Sequence, residues 1–383
     1  MPKTGIITFH RSYNCGSMLE SYAIQRYLSK IGIENEIIDF SNIGQRKLYA
    51  IFFECNSIKN IIKNILLIPH KRRIDRNNAK YEEFKEKYMT LSEEEYYDIK
   101  QLSDTGYDII IAGSDQIWNI TIQDGDEAYF LPWVHRAKKV AYAPSFGAKN
   151  ILVWAEKPEK YKTWLDDFAA LSIREKNGAK WMWELTGKSA EILPDPTLLL
   201  DEEEYDKLLD MHIYSHTNYI FFYCPSFQND ICKMVKKISD KYNMKVIVWS
   251  TKSYYTRAVY RYGFKLPVYE SPSVYLSLIK GAELVITTSY HGAIFSTIFR
   301  KKIYVIKNGG MYGDDDRVKT LLESIRMSER LISCEYRDDY DYLQTVNYEI
   351  YEQELERLRK KAYDYLVKNV KTNQNIVDNG ILV

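Results

Sequence analysis

The residues best suited to chemistry stand in the segment LVITTSYHGAIFSTIF, 284–299. Its β-branched run, Leu284 to Thr288, reads as a buried strand. The polar loop Ser289-Tyr290-His291-Gly292 then leads into a helix from Ala293 to Phe299. This layout gathers a hydroxyl, an imidazole and backbone N–H groups at one point. The first N–H groups of a helix lack partners and its dipole is positive there, so the position attracts anions. A histidine in that field is suited to holding a phosphate or carboxylate and moving a proton beside it. Three further polar loops follow expected strands: RSYNCGS (11–17), GSDQIWN (113–119) and PSFG (144–147). In the second, Asp115 stands beside Gln116 and Asn119, where a carboxylate can orient or deprotonate a sugar hydroxyl; the alternative is a helix cap.

Arg174 follows the β-like Leu171-Ser172-Ile173. A guanidinium grips carboxylate or phosphate with a planar two-pronged contact that lysine cannot copy. The competing reading is a surface ion pair with Glu175 or Asp167. Arg317, in the first turn of a helix opening within GMYGDDDRVKTLLESI (310–325), is a second anion clamp. The neighbouring Asp314 to Asp316 read as helix capping and first-turn charge rather than as metal ligands. His212 and His216 stand four apart but lack the H-E-x-x-H arrangement, and no metal site is expected. No Walker loop, G-x-S-x-G elbow or Cys-His nucleophile motif is present.

The elements that must position these residues alternate along the chain. Gly5–Phe9, a helix over 17–31 and Glu36–Phe40 make a βαβ unit whose first loop lies where open α/β sheets bind ligands. Ser17 is a candidate N-cap for that helix. The stretch from Asn77 to Tyr97 reads as charged helix, and strands follow at 107–112 and 139–147. After Pro194-Asp195-Pro196 the alternation restarts, with strands at 218–224, 245–251, 284–288 and 302–307 and a long charged helix from Tyr348 to Lys371. The expectation is an α/β protein of two Rossmann-like lobes with a ligand cleft between them. Residues 1–205 form the first lobe, 206–345 the second, and 346–383 a helix crossing back onto the first. Residues 44–76 stand apart, with eight Lys or Arg against two acids among Ile, Leu and Phe. Ile58, Ile61, Ile62, Ile65 and Leu66 recur at helical spacing. Two readings stay open: a helix lying on an anionic membrane, or one packed on its own domain.

Across 383 residues, 45% are hydrophobic and 27% charged, as in an ordinary globular enzyme. A formal net charge of +1 gives no support for nucleic-acid binding. No run approaches the roughly 20 apolar residues that span a bilayer. The amino terminus shows no signal-peptide layout, and the five cysteines are scattered without a C-x-x-C pair, so a reducing cytoplasm is expected.

NCGSMLESYAIQ, GSDQIWN, AYAPSFG, LSIREK, LPDPTLLL and TSYHGAIFSTIF occur in an order and spacing that resemble the polysaccharide pyruvyl transferase family. The resemblance implies a GT-B-like architecture and transfer of the enolpyruvyl unit of phosphoenolpyruvate onto two hydroxyls of a sugar. The product would be a pyruvate ketal in a bacterial surface polysaccharide or its lipid-linked precursor. It implies His291, Arg174 and Arg317 near phosphoenolpyruvate; the chemistry of the residues adds the expectation that His291 binds phosphate and acts as general acid, with Asp115 as candidate base. Arg174, Ser289, His291, Gly292 and Arg317 would face phosphoenolpyruvate. Asn14, Ser17, Asp115, Gln116 and Asn119 would face the acceptor, although Gly16-Ser17 replaces the commoner Gly-Asp of the family. Phosphoenolpyruvate is then a substrate, and neither a resident cofactor nor a metal is expected. If the acceptor is lipid-linked, residues 44–76 would dock on the inner leaflet. The competing expectations are a GT-B glycosyltransferase using a nucleotide sugar and a non-catalytic subunit of envelope assembly.

Overall fold

A computed structural model describes residues 3–147, 149–214, 218–307 and 317–371. His216 and Asp314 to Asp316 lie outside the described residues.

Strands β1 (Thr4–Ile7), β2 (Asn35–Phe40), β3 (Leu91–Tyr96), β4 (Ile109–Ala112) and β5 (Lys138–Ala141) form a parallel sheet in the order β3-β2-β1-β4-β5. A short parallel pair, β6 (Ser172–Ile173) and β7 (Glu191–Ile192), extends its β5 side. There Ala141 N–H donates to Ala170 and the Ser172 hydroxyl to the Ala141 carbonyl. The second sheet holds β8 (Tyr219–Tyr223), β9 (Lys245–Val248), β10 (Leu284–Thr287), β11 (Lys302–Ile306) and β12 (Leu331–Ile332). It is also parallel, in the order β12-β11-β10-β8-β9. The chain is thus two Rossmann-like lobes. In each sheet the order reverses beside the first strand, between β1 and β4 and between β8 and β10. Loops leaving such a pair part to opposite faces and open a crevice at the carboxyl ends of the strands.

β3 corrects the helical reading of 77–97. The helix Lys71–Tyr88 ends first, and LSEEEY pairs with β2 as an edge strand. Its consecutive glutamates hide the period-2 signal, yet exposed charge is how an edge strand avoids pairing with other chains.

The lobes share apolar packing beneath the crevice. Met18, Leu19 and Tyr22 of the helix Cys15–Lys30 belong to the same buried cluster as Tyr205, Tyr275 and Phe295. The terminal helix Glu349–Val370 bridges both lobes. Near its start, Glu352 pairs with Arg300 at 2.6 Å. Further along, Arg359 donates to the carbonyls of Leu198 and Leu200, and the Tyr365 hydroxyl to Ala141 at 2.8 Å. Leu355, Leu358, Ala362, Tyr365 and Leu366 are buried, as their spacing requires of one face. Among the described residues, no helix is long and apolar enough to cross a membrane.

If this helix belongs to the cooperative core, Leu366→Ala costs about 2–5 kcal/mol in urea unfolding. Tyr365→Phe costs only about 1 kcal/mol, because the Ala141 carbonyl keeps its bond from Ser172. A Leu366→Ala loss under about 0.5 kcal/mol would place the helix outside that core.

Candidate active site

Between the carboxyl ends of the two sheets lies a cavity of about 580 Å³. Two helices from opposite lobes start at its wall. Cys15–Lys30 is capped by Asn14, whose side chain accepts from the Gly16 N–H at 2.9 Å. Tyr290–Ile298 is capped by Ser289, whose hydroxyl accepts from the Gly292 N–H at 3.2 Å. The helix therefore starts three residues earlier than the expected Ala293, and His291 sits in its first turn rather than in a loop. Asn14, not Ser17, caps the other helix.

His291 reaches across the seam. Gly16 of the first lobe lies so close that a Cβ there would collide with Nδ1 and stand 2.6 Å from Cγ. On its other edge the ring faces acids: Nε2 is 3.4 Å from Asp195 Oδ2 and 3.9 Å from Glu20 Oε2. These are ion-pair distances, longer than a well-formed hydrogen bond.

Behind His291, Arg174 stands at the end of β6 with its side chain 1% exposed. Its guanidinium lies 2.6 Å from Asp195, 3.3 Å from Glu20 and 3.5 Å from Asp115, and 4.4 Å from the centre of the Tyr290 ring. One cation thus serves three carboxylates. Asp195 is tied further to the Thr197 hydroxyl at 2.6 Å and the Thr197 N–H at 3.0 Å. Burial alone would raise Asp195, but His291, Arg174 and the Thr197 bonds outweigh it and hold the carboxyl well below its usual range. Glu20 moves the opposite way: burial, then the charges of Asp195 and Asp115, push it well above an ordinary carboxyl. Two acids side by side with pKa values driven apart form a proton-holding pair. Ligand atoms of Glu20, Asp195 and His291 lie within 4.8 Å of one another, a spacing a metal ion could use. The Arg174 guanidinium already supplies positive charge among them.

The expected residues divide into three groups. Asn14, Ser17, Asp115, Gln116, Ser289 and His291 all line the cavity, and so does Arg317 from the opposite side. Arg174 also reaches its wall, but as the centre of a buried ion cluster. It is neither an open clamp nor the surface pair with Glu175 or Asp167. Gly292 and Asn119 are not among the lining residues. The Gly292 N–H is taken by Ser289, and the Asn119 side chain is held by Thr121 and Gln116. Asp115 occupies left-handed backbone, with φ 71°. Its carboxylate accepts from the Ser17 hydroxyl at 2.6 Å and from the Gln116 N–H at 2.8 Å. The PSFG loop lies beneath the cavity, where Ser145 N–H donates to the Asp115 carbonyl and Phe146 N–H to Glu175.

Sequence reasoning missed Glu20, Asp195, Asp124, Lys307 and Lys319. A carboxylate inside the otherwise buried helix face around Leu19 and Ala23 was a usable signal for Glu20. Asp195, between two prolines, reads as turn punctuation. Asp124 lines the cavity and burial raises it to about 6, with Asp115 adding to the shift. Lys307, Arg317 and Lys319 face it from the second lobe. The cavity is therefore polarised, acidic on the first-lobe wall and basic on the second, with His291 at the seam.

The Gly16–His291 contact yields a test. Alanine in a helix ordinarily adds about 1 kcal/mol over glycine. Here Gly16→Ala should instead cost about 1–3 kcal/mol through overpacking, and the loss should largely vanish in a His291→Ala background. Urea unfolding of the single and double variants measures this; additive effects would show that the two residues do not touch.

No curated protein matches the chain. Among solved structures, UDP-GlcNAc 2-epimerase from Neisseria meningitidis bound to UDP-GlcNAc aligns at 9% identity and TM-score 0.47, covering 96% of this chain and 100% of that one. E. coli heptosyltransferase WaaC with ADP aligns at 10% identity and TM-score 0.40, covering 93% and 99%. S. aureus MnaA with UDP aligns at 12% identity and TM-score 0.47, covering 96% and 91%. The two-lobed assignment rests on strand order rather than on these likenesses. The family model described as polysaccharide pyruvyl transferase matches residues 14–310, from the Asn14 cap to beyond β11. With both helix starts, the Arg174 cluster and His291 inside that span, the chain belongs to the polysaccharide pyruvyl transferase family.

Proposed function

We propose that the protein transfers the enolpyruvyl unit of phosphoenolpyruvate to two hydroxyls of a saccharide, forming a pyruvate ketal and releasing phosphate. The observation that carries this reading is the polarised cavity with a proton-handling histidine at its seam. A small donor bearing carboxylate and phosphate suits the wall with Lys307, Arg317, Lys319 and a helix start. A neutral polyol suits the wall with Asn14, Ser17, Asp115, Gln116 and Asp124.

In this reading His291 protonates the methylene carbon of the donor, leaving an oxocarbenium-like centre at C2. One sugar hydroxyl attacks C2. The second then forms the other C–O bond as the C2–O bond to phosphate breaks. The two hydroxyl protons end on the new methyl group and on phosphate, so the reaction balances without a redox partner. Asp195 and Glu20 steady His291 as its proton leaves and returns. The base role passes from Asp115 to Asp124. The Asp115 carboxylate is already held by the Ser17 hydroxyl, the Gln116 N–H and the nearby Arg174, whereas Asp124 has a raised pKa and so is a stronger base once ionised. The protein's residues alone supply this chemistry, with no resident cofactor or metal. The acceptor is a surface polysaccharide unit or its lipid-linked precursor.

Thermal shift should show saturable stabilisation by phosphoenolpyruvate, followed by phosphate release when a suitable acceptor is added. His291→Gln should lower kcat by about 10²–10⁴-fold while folding normally; near-normal turnover would remove His291 from the mechanism. Nucleotide release from a nucleotide sugar, with no response to phosphoenolpyruvate, would instead favour a glycosyltransferase.

A base works only when ionised, so kcat should rise with pH through about 6, the value for Asp124. Asp124→Asn should lower kcat and remove that limb. An unchanged profile in Asp124→Asn would assign the base to another group.

A further inference from the structure

We infer that the insertion after β2 is a docking face for an anionic lipid bilayer. The helix Ile58–Leu67 is turned the opposite way from an ordinary core helix. Ile58, Ile61, Ile62, Ile65, Leu66 and the following Ile68 are all exposed, Ile58 at 78% and Ile65 at 59%. Its polar face is the one that packs inward. Asn64 exchanges hydrogen bonds with the backbone of Phe53, and Lys63 lies over the Phe53 ring. Leu67 alone in the helix is buried.

The support beneath is built by both lobes. His70 stacks on Tyr255, Arg73 donates to Thr251, and Lys252 reaches the Ala50 carbonyl and the Phe53 ring. The stripe is therefore held outward by a folded platform, and packing on its own domain does not account for its apolar side. Six neighbouring large aliphatic side chains left in water are a costly arrangement unless something covers them.

The surrounding charge selects the occupant. Lys59 and Arg72 are exposed beside the stripe. Burial, with the charges of Lys59 and Arg257, holds Lys63 below its ordinary value. Apolar residues accompanied by exposed cations match the acyl and headgroup layers of an anionic membrane surface. The preceding helix, Ile43–Tyr49, leaves Ile43 69% exposed and places Leu48 and Tyr49 on the cavity wall. The segment that carries the stripe therefore also forms part of the cavity wall. One consequence rests on the transferase reading: a saccharide carried on a lipid would enter from this side.

The test is flotation with phosphatidylglycerol–phosphatidylcholine vesicles against pure phosphatidylcholine, with no substrate present, so its outcome is independent of the proposed reaction. Wild type should float with the anionic vesicles and weaken severalfold on going from about 0.1 to 0.5 M salt. Ile58→Ser/Ile62→Ser/Ile65→Ser should bind at least about tenfold more weakly with unchanged thermal unfolding, since the substituted side chains already face solvent. Lys59→Glu/Arg72→Glu should lose the preference for anionic lipid. Absence of flotation by wild type, or undiminished binding by the triple-serine variant, would overturn the inference. A dimer in light scattering that the serine variant dissolves, with no vesicle binding, would overturn it in favour of self-association.

Discussion

The site depends on a guanidinium buried among three carboxylates. Arg174 comes from the end of β6, Asp195 from the proline-flanked turn, Glu20 from the first helix and Asp115 from the loop after β4, so four separate segments meet at one charge. Without the cation, those carboxylates would be desolvated against one another. Without the carboxylates, the cation would be stranded. Removing one partner of such a buried set typically costs about 3–5 kcal/mol. The cluster belongs to the first lobe, yet its open edge faces the second, and His291 fills that edge. Electrostatic pairing thus fixes where an imidazole from the other lobe can sit.

Apolar packing makes that meeting possible. The first helix lies against both the Pro196–Leu199 turn and the helix Pro272–Gly281, and the terminal helix clamps the lobes from outside. Gly16 then brings the helix backbone against the imidazole, an approach any side chain would obstruct. Each lobe contributes a helix start, so two positive dipole ends converge on one space while the acids stay on one wall. In the proposed reaction, such a space would distinguish donor from acceptor by charge. A symmetric basic pocket would hold the anion but leave a hydroxyl unoriented.

Much of the fold was legible from residue order. β-branched runs alternating with amphipathic helices announced two parallel sheets, and the spacing of Leu355, Leu358, Ala362 and Leu366 announced the terminal helix. β3 escaped because an edge strand can carry charge on consecutive residues. The helix at Tyr290 was placed late because glycine and tyrosine read as loop, whereas the Ser289 cap fixes its start.

His291 and Asp115 could be picked from sequence because each follows the end of a strand, and in parallel sheets those ends face the ligand; Arg317 could be picked as a cation in the first turn of a helix. Sequence also supplied the period of the isoleucine stripe at 58–66. It could not say which way that stripe faces, because period reports the existence of an apolar side and not what lies against it. Likewise it marked Arg174 as an anion-binding group. Only the folded chain showed that its anions are Glu20, Asp195 and Asp115, more than 20 positions away in each case. Local pattern sets secondary structure because it acts through neighbours along the chain. Charge partners, exposure and pKa arise from neighbours in space, and those exist only once the two lobes have closed around the same point.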